Sequence, residues 1–237
     1  MQTRQDRIEV GSGPAAGDKF DAYVSIPDTP NGRAVIVLQE IFGVTPQIRE
    51  VADRYAKEGY LAIAPDLYWR VEPGLSLSHS KEDIARAFNI LESFSDDDAI
   101  ADIAVTIAHA RRQPGITKVA VVGMCLGGKL GYLAAARVPV DAVIAFYGVG
   151  IEKHLDEASN IEAPLRMYFG AKDKYVSPET RDQVAAAVRH RRAVDVVVVD
   201  GADHGFYTRG DPAVLANAHR EALGFFDAHM AAEGAAA

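Results

Sequence analysis

The sequence of 237 residues has one cysteine, one tryptophan, no excess of basic residues and no long hydrophobic run. Each scarcity excludes something. A lone cysteine cannot close an internal disulfide, so a reducing, intracellular setting is the default expectation. With 25 Lys and Arg against 33 Asp and Glu, the formal net charge is -8. That balance argues against nucleic acid or an anionic membrane as the main partner, because phosphate-rich surfaces select basic proteins. The longest apolar runs, such as "AVIVL" and "VDVVVVD", fall far short of the roughly 20 residues that span a bilayer. At the start, "MQTRQDRIEVGSG" has basic residues with no apolar segment behind them, so no secretory signal is expected. The expectation is a cytoplasmic protein, a monomer or small homo-oligomer, acting on a small molecule.

A dinucleotide fingerprint is missing too. "GMCLGG" lacks the second glycine of G-x-G-x-x-G, and "GSGPAAG" is spoiled by Pro14 and by the absence of a following helix. No nucleotide cofactor is expected.

What is present is alternation. Short β-branched runs at Phe20–Ile26, Ala34–Gln39, Leu61–Pro65, Val119–Gly123, Ala142–Phe146, Leu165–Gly170 and Val194–Val199 predict strands. Several are apolar on consecutive residues, as strands buried on both faces of a parallel sheet are. Between them, Thr45–Glu58, Lys81–Phe94, Asp97–Arg112, Leu126–Arg137, Pro178–Arg189 and Pro212–Ala232 predict helices, and "AAEGAAA" predicts a fraying helix end. "VSPET" reads as a helix start, with Ser177 as N-cap and Pro178 at the first helical position. The pattern predicts a doubly wound, mostly parallel sheet flanked by helices, with ligands at the carboxyl ends of the strands. No linker divides it, so residues 1–237 read as one α/β domain.

In "VAVVGMCLGG", a strand runs into a helix through Gly123, Cys125 and Gly127. A turn of the form G-x-nucleophile-x-G presents its central side chain at the top of the sheet, and small neighbours let strand and helix pass closely. A thiol there lies near a helix N-terminus, which lowers its pKa. Taken alone, Cys125 could equally be a small buried apolar residue.

A cysteine nucleophile needs a histidine to carry its proton and an acid to orient the histidine. Of seven histidines, His109, His190, His219 and His229 fall on helical patterns, where solvated positions are usual, and His79 and His154 fall in polar connections. His204, in "VVVVDGADHGFYTR", follows the last strand in a Gly-flanked loop. Asp173, in "FGAKDKYVSP", follows the preceding strand; Asp200 and Asp203 are rival acids, but too near His204 in sequence to orient its ring easily. The order nucleophile, acid, histidine is that of the α/β-hydrolases.

With Cys125, Asp173 and His204 placed, the chain resembles the dienelactone hydrolase family of α/β-hydrolases over nearly its whole length. The resemblance rests on "VIVLQEIFGV", "GYLAIAPDLY", "VAVVGMCLGG", "AFYG", "MYFGAKDKYVSP" and "DGADHGF". It implies opening of a cyclic enol-lactone to a dicarboxylic acid in aromatic catabolism, with no metal or organic cofactor. It also implies Cys125 as nucleophile, Asp173 as orienting acid and His204 as base, with oxyanion donors in the Leu126 and Ile41 amides. Glu40 matches the glutamate thought to contact the resting thiol and help activate it. The family's lactonases grip a substrate carboxylate with two arginines. Here Thr208 stands at one of those positions, with Arg209 next to it, and Arg86 is the nearest candidate for the other. Phe42, Trp69, Tyr147, Tyr175 and Phe206 are the expected aromatic lining of the pocket. A hydrolase of unrelated esters and a non-catalytic scaffold with a vestigial triad are the alternatives.

Overall fold

The computed structural model describes residues 1–11 and 13–231. It divides into two compact units, Met1–Val119 and Ala120–Ala237, each taken by itself below.

In the first unit the strands are β1 (Gln2–Glu9), β2 (Lys19–Ile26), β3 (Arg33–Leu38) and β4 (Leu61–Pro65). They lie in the order β1-β2-β4-β3, with β1 and β2 paired antiparallel, β2 antiparallel to β4, and β4 parallel to β3. Apart from Arg33 and Leu61 at their starts, β3 and β4 are sealed from solvent, as their consecutive apolar residues predict. The sequence reading missed β1. Its residues, "QTRQDRIE", are exposed except at Asp6 and Ile8, so no apolar alternation marks it.

Three helices complete this unit: α1 (Pro46–Lys57), α2 (Lys81–Leu91) and α3 (Asp96–Arg111). In α1, Ile48, Val51, Ala52, Tyr55 and Ala56 are buried, an i, i+3, i+4, i+7, i+8 stripe. The Thr45 hydroxyl caps it by accepting from the Ile48 amide at 3.4 Å, and Pro46 fills the first turn. Three aspartates open α3, where they complement the helix dipole, and Ser95 caps it.

The second unit holds β5 (Lys118–Met124, beginning just before the division), α4 (Leu126–Arg137), β6 (Ala142–Phe146) and a 3₁₀ segment, Ile151–Asn160. It continues with β7 (Leu165–Gly170), α5 (Pro178–Val188), β8 (Val194–Val199), the short α6 (Phe206–Arg209) and α7 (Pro212–His229). The order β5-β6-β7-β8 is parallel throughout, so the carboxyl ends of all four strands share one edge. Ser177 caps α5 by accepting from the Thr180 amide at 3.2 Å, as the "VSPET" reading predicts. Strand β8 is not buried on both faces. Its residues are half-buried or exposed, and Val198 is 48% exposed, because β8 ends the strand order and has a neighbour on one side only. Helix α7 ends at His229, so Met230 and Ala231 fall outside the helix expected to reach Ala232; residue 232 and the rest of "AAEGAAA" lie outside the described residues.

Parallel strands alternating with helices give the mostly parallel α/β fold that the sequence predicts. Among the described residues, no helix is long and apolar enough to cross a membrane.

Candidate active site

The turn after β5 is tight. Cys125 sits at the N-cap of α4 with φ 55° and ψ -113°, a conformation strained for any residue with a Cβ. Its neighbours show why glycine is required. A Cβ on Gly123 would lie 1.9 Å from the Gly127 carbonyl oxygen, and one on Gly128 would lie 2.6 Å from that of Phe146. The Cys125 carbonyl accepts from the Gly128 and Lys129 amides at 3.0 and 3.2 Å, which closes the first turn of α4. Leu126 opens that helix, one residue past the thiol. Cys125 is half-buried.

Asp173 follows β7 and His204 follows β8, on the same edge as Cys125. His204 Nδ1 lies 2.8 Å from Asp173 Oδ2, with the carboxylate fully buried and the imidazole 8% exposed. The other oxygen, Asp173 Oδ1, accepts from the Tyr175 and Val176 amides at 2.8 and 3.3 Å. The rival Asp203 is exposed and accepts from the backbone amide of His204 at 2.7 Å. Asp200 is also exposed. Two tyrosines flank the imidazole: the ring centroid of Tyr147 is at 4.7 Å and that of Tyr175 at 4.8 Å, both steeply inclined. Tyr175 is 66% exposed, whereas Tyr147 is buried, and Phe206 packs 5.3 Å from Tyr147. Thr208 Oγ1 donates to the Gly205 carbonyl at 3.2 Å and accepts from Arg209 at 3.1 Å. The Arg209 guanidinium folds over Gly205, where a Cβ would come within 2.3 Å of it.

In the first unit, Glu40 and Ile41 follow β3, and Glu40 is 3% exposed in a turn closed by a bridge to Gly43. The Ile41 carbonyl accepts from the Tyr68 hydroxyl at 3.2 Å. Phe42 is nearly buried, its carbonyl accepts from the Leu77 amide at 2.9 Å, and its ring meets His79 at 4.3 Å. His79, which the sequence left without a partner, therefore covers the turn that carries Glu40. Trp69 is committed within its own unit: the indole N–H donates to buried Asp102 at 2.7 Å, the ring stacks on Phe20, and Arg70 lies over it. Arg86 is ion-paired with Glu72 at the surface. No group of three or more potential metal ligands gathers among the described residues.

One further histidine departs from its reading. His219 is buried in α7 rather than solvated, and its Nδ1 meets the Tyr207 hydroxyl at 2.8 Å. The spacing His219, Ala222, Phe226 along α7 places it on the apolar stripe, a signal the sequence did contain.

With this geometry in place, the comparisons are informative. The model of the dienelactone hydrolase family matches residues 20–231. The chain belongs to that family. The carboxymethylenebutenolidase of Pseudomonas sp. (strain P51) is 36% identical over 208 residues, covering 87% of each chain. Carboxymethylenebutenolidase 1 of Cupriavidus pinatubonensis is 37% identical over 178 residues, 74% of this chain and 75% of that one. A crystal structure assigned as a dienelactone hydrolase from Klebsiella pneumoniae superposes with a TM-score of 0.80 at 29% identity, covering 95% of this chain and 99% of that one. The protein is thus a dienelactone hydrolase-family enzyme that hydrolyses a carboxylic ester or lactone.

Proposed function

We propose that the protein opens an enol-lactone to a dicarboxylic acid through a thioester on Cys125, as a step in the breakdown of aromatic compounds. The observation that carries the reading is the buried His204–Asp173 pair, at 2.8 Å, on the strand edge that also presents Cys125 at its strained turn.

In this mechanism His204 takes the thiol proton and the Cys125 sulfur adds to the lactone carbonyl carbon. The oxyanion that forms is stabilised by the Leu126 amide at the N-terminus of α4, with the Ile41 amide as the second donor that the family pattern supplies. Collapse of the intermediate breaks the ring C–O bond, and the enolate leaves, taking the proton from the imidazolium. Its charge is delocalised, so it departs without a strong acid. Water then gives a proton to His204 and adds to the thioester; the second collapse releases the carboxylic acid and the thiolate. Asp173 holds Nδ1 throughout and balances the imidazolium charge. Glu40 takes the family role of restraining the resting thiol.

Two observations favour a second reading, a neutral ester as substrate. Thr208 stands where the family's lactonases carry an arginine, and Arg86 is engaged by Glu72. A panel of dienelactones and neutral aryl esters, compared by kcat/KM, tests the choice. The enol-lactone reading expects the dienelactones to exceed the esters by about 10²-fold or more, and a reversed ranking supports the second reading.

A further inference from the structure

Among the described residues, only Cys125 (φ 55°) and Tyr147 (φ 40°) combine a side chain with a positive φ. Cys125 belongs to the elbow turn; Tyr147 lies in "AFYG", directly after β6, with no catalytic role assigned to it so far. A bulky residue stays in this region only where its surroundings hold it there, and such positions cluster at functional sites.

The surroundings are explicit. The Tyr147 amide donates to the Tyr168 carbonyl at 2.6 Å, and the carbonyl of the preceding Phe146 accepts from the Cys125 amide at 3.0 Å. Gly128 presses on the same turn, with its would-be Cβ 2.8 Å from Gly148 Cα. The backbone around Tyr147 is therefore the seat of the nucleophile's turn. The side chain reaches the histidine's loop at two points. Its ring packs against the His204 imidazole, centroids 4.7 Å apart, and its hydroxyl lies 3.3 Å from Thr208 Oγ1. Thr208 Oγ1 commits its proton to the Gly205 carbonyl, which leaves its lone pairs to accept from Tyr147 and Arg209. Tyr147 has no exposed surface. It cannot line a pocket without first moving.

We propose that Tyr147 is a positioning residue that ties the nucleophile's turn to the base. The inference rests on the reading of Cys125, His204 and Asp173 as the catalytic set. One hydrogen bond to Asp173 leaves the imidazole free to swing about it. The tyrosine ring blocks that swing on one side, and the bond to Thr208 fixes the short turn that follows His204. Proton transfer is sensitive to such placement: a misplacement of 1 Å costs on the order of 10²-fold in rate.

The test compares Tyr147→Phe, Thr208→Val, the double variant and Thr208→Ser on an aryl ester, reading kcat, KM and Tm. Cys125→Ala and His204→Ala serve as references. Tyr147→Phe and Thr208→Val should each lower kcat about tenfold with KM changed less than about twofold, a loss of placement rather than of binding. The double variant should be no slower than the worse single one, because both break the same bond. Thr208→Ser should restore kcat. Unchanged kcat in both single variants, with only Tm lowered, would overturn the proposal and leave the triad reading intact. Losses that multiply in the double variant would do the same. Full activity in Cys125→Ala or His204→Ala would overturn the triad reading itself. Should Tyr147→Phe fail to fold, the contrast between Thr208→Val and Thr208→Ser decides alone.

Discussion

Asp173 divides its carboxylate between two partners: Oδ2 meets His204 Nδ1 at 2.8 Å, and Oδ1 accepts the Tyr175 and Val176 amides. The backbone donors fix which oxygen faces the imidazole. In Asp173→Asn the amide oxygen should stay on those donors, so its NH₂ would face Nδ1 and force the ring proton onto Nε2. That is the wrong tautomer for a base. The expected loss is roughly 10⁴-fold in kcat. Asp203→Asn should stay within a few-fold of the parent, because an amide oxygen can still accept from the His204 backbone amide. Measuring kcat for both at matched Tm checks this, and the reverse ranking would make Asp203 the acid.

Gly123→Ala is expected to be among the most damaging small substitutions in the second unit. Its Cβ would lie 1.9 Å from the Gly127 carbonyl oxygen, a backbone atom that cannot turn aside. Either the strand or α4 must shift, which is expected to cost about 1–3 kcal/mol or more. Thermal unfolding and kcat should fall together. A variant with parental Tm and rate would show that the elbow is looser than the geometry describes.

Sequence reading went furthest where burial is uniform. Strands β3 to β7 stand out because their residues are apolar almost without interruption, and the cysteine turn because strand and helix cannot pass there without glycine. Strand β1 was invisible because a mostly exposed edge strand has no apolar alternation. In β8 the apolar run overstated burial, since composition does not reveal that a strand has a neighbour on one side only. The site residues divide in the same way. Asp173 and His204 could be found because they follow predicted strands. The constraint at Tyr147 could not, since its amide is held by the Tyr168 carbonyl and the preceding Phe146 carbonyl by the Cys125 amide, partners distant in sequence.

The arginines separate the two substrate readings. Arg209 donates to Thr208 and folds over Gly205, the residue after His204, whereas Arg86 is engaged by Glu72 at the surface. Arg209→Met should therefore raise KM for an anionic lactone by about tenfold or more and leave a neutral ester of similar size almost unchanged, as expected for loss of a charged hydrogen bond. Arg86→Met should alter neither. Steady-state kinetics on the two substrates is the check. Equal effects of Arg209→Met on both would remove that arginine from substrate binding.

Asp66 sets a pH dependence of stability in the first unit. Burial, the largest influence, raises its pKa above the ordinary carboxylate value, although the Gly74 and Tyr68 amides pull it down. A carboxyl group whose folded pKa exceeds its unfolded one gives its full stabilisation below the unfolded pKa, near 4, and loses it as pH rises through the folded value. In Asp66→Asn this component should vanish, leaving a flatter stability curve from about pH 4 upward. Urea unfolding across that range measures it, and identical pH slopes in parent and variant would contradict the assignment.

The central claim, a covalent thioester on Cys125, is tested most directly by intact-protein and peptide mass spectrometry of enzyme quenched during turnover of an aryl ester. The account predicts an added acyl mass on the peptide containing Cys125, labile to hydroxylamine as a thioester is. It also predicts that the adduct and the hydrolysis are both absent in Cys125→Ala with the fold retained. An acyl group on another residue, or full hydrolysis by Cys125→Ala, would contradict it.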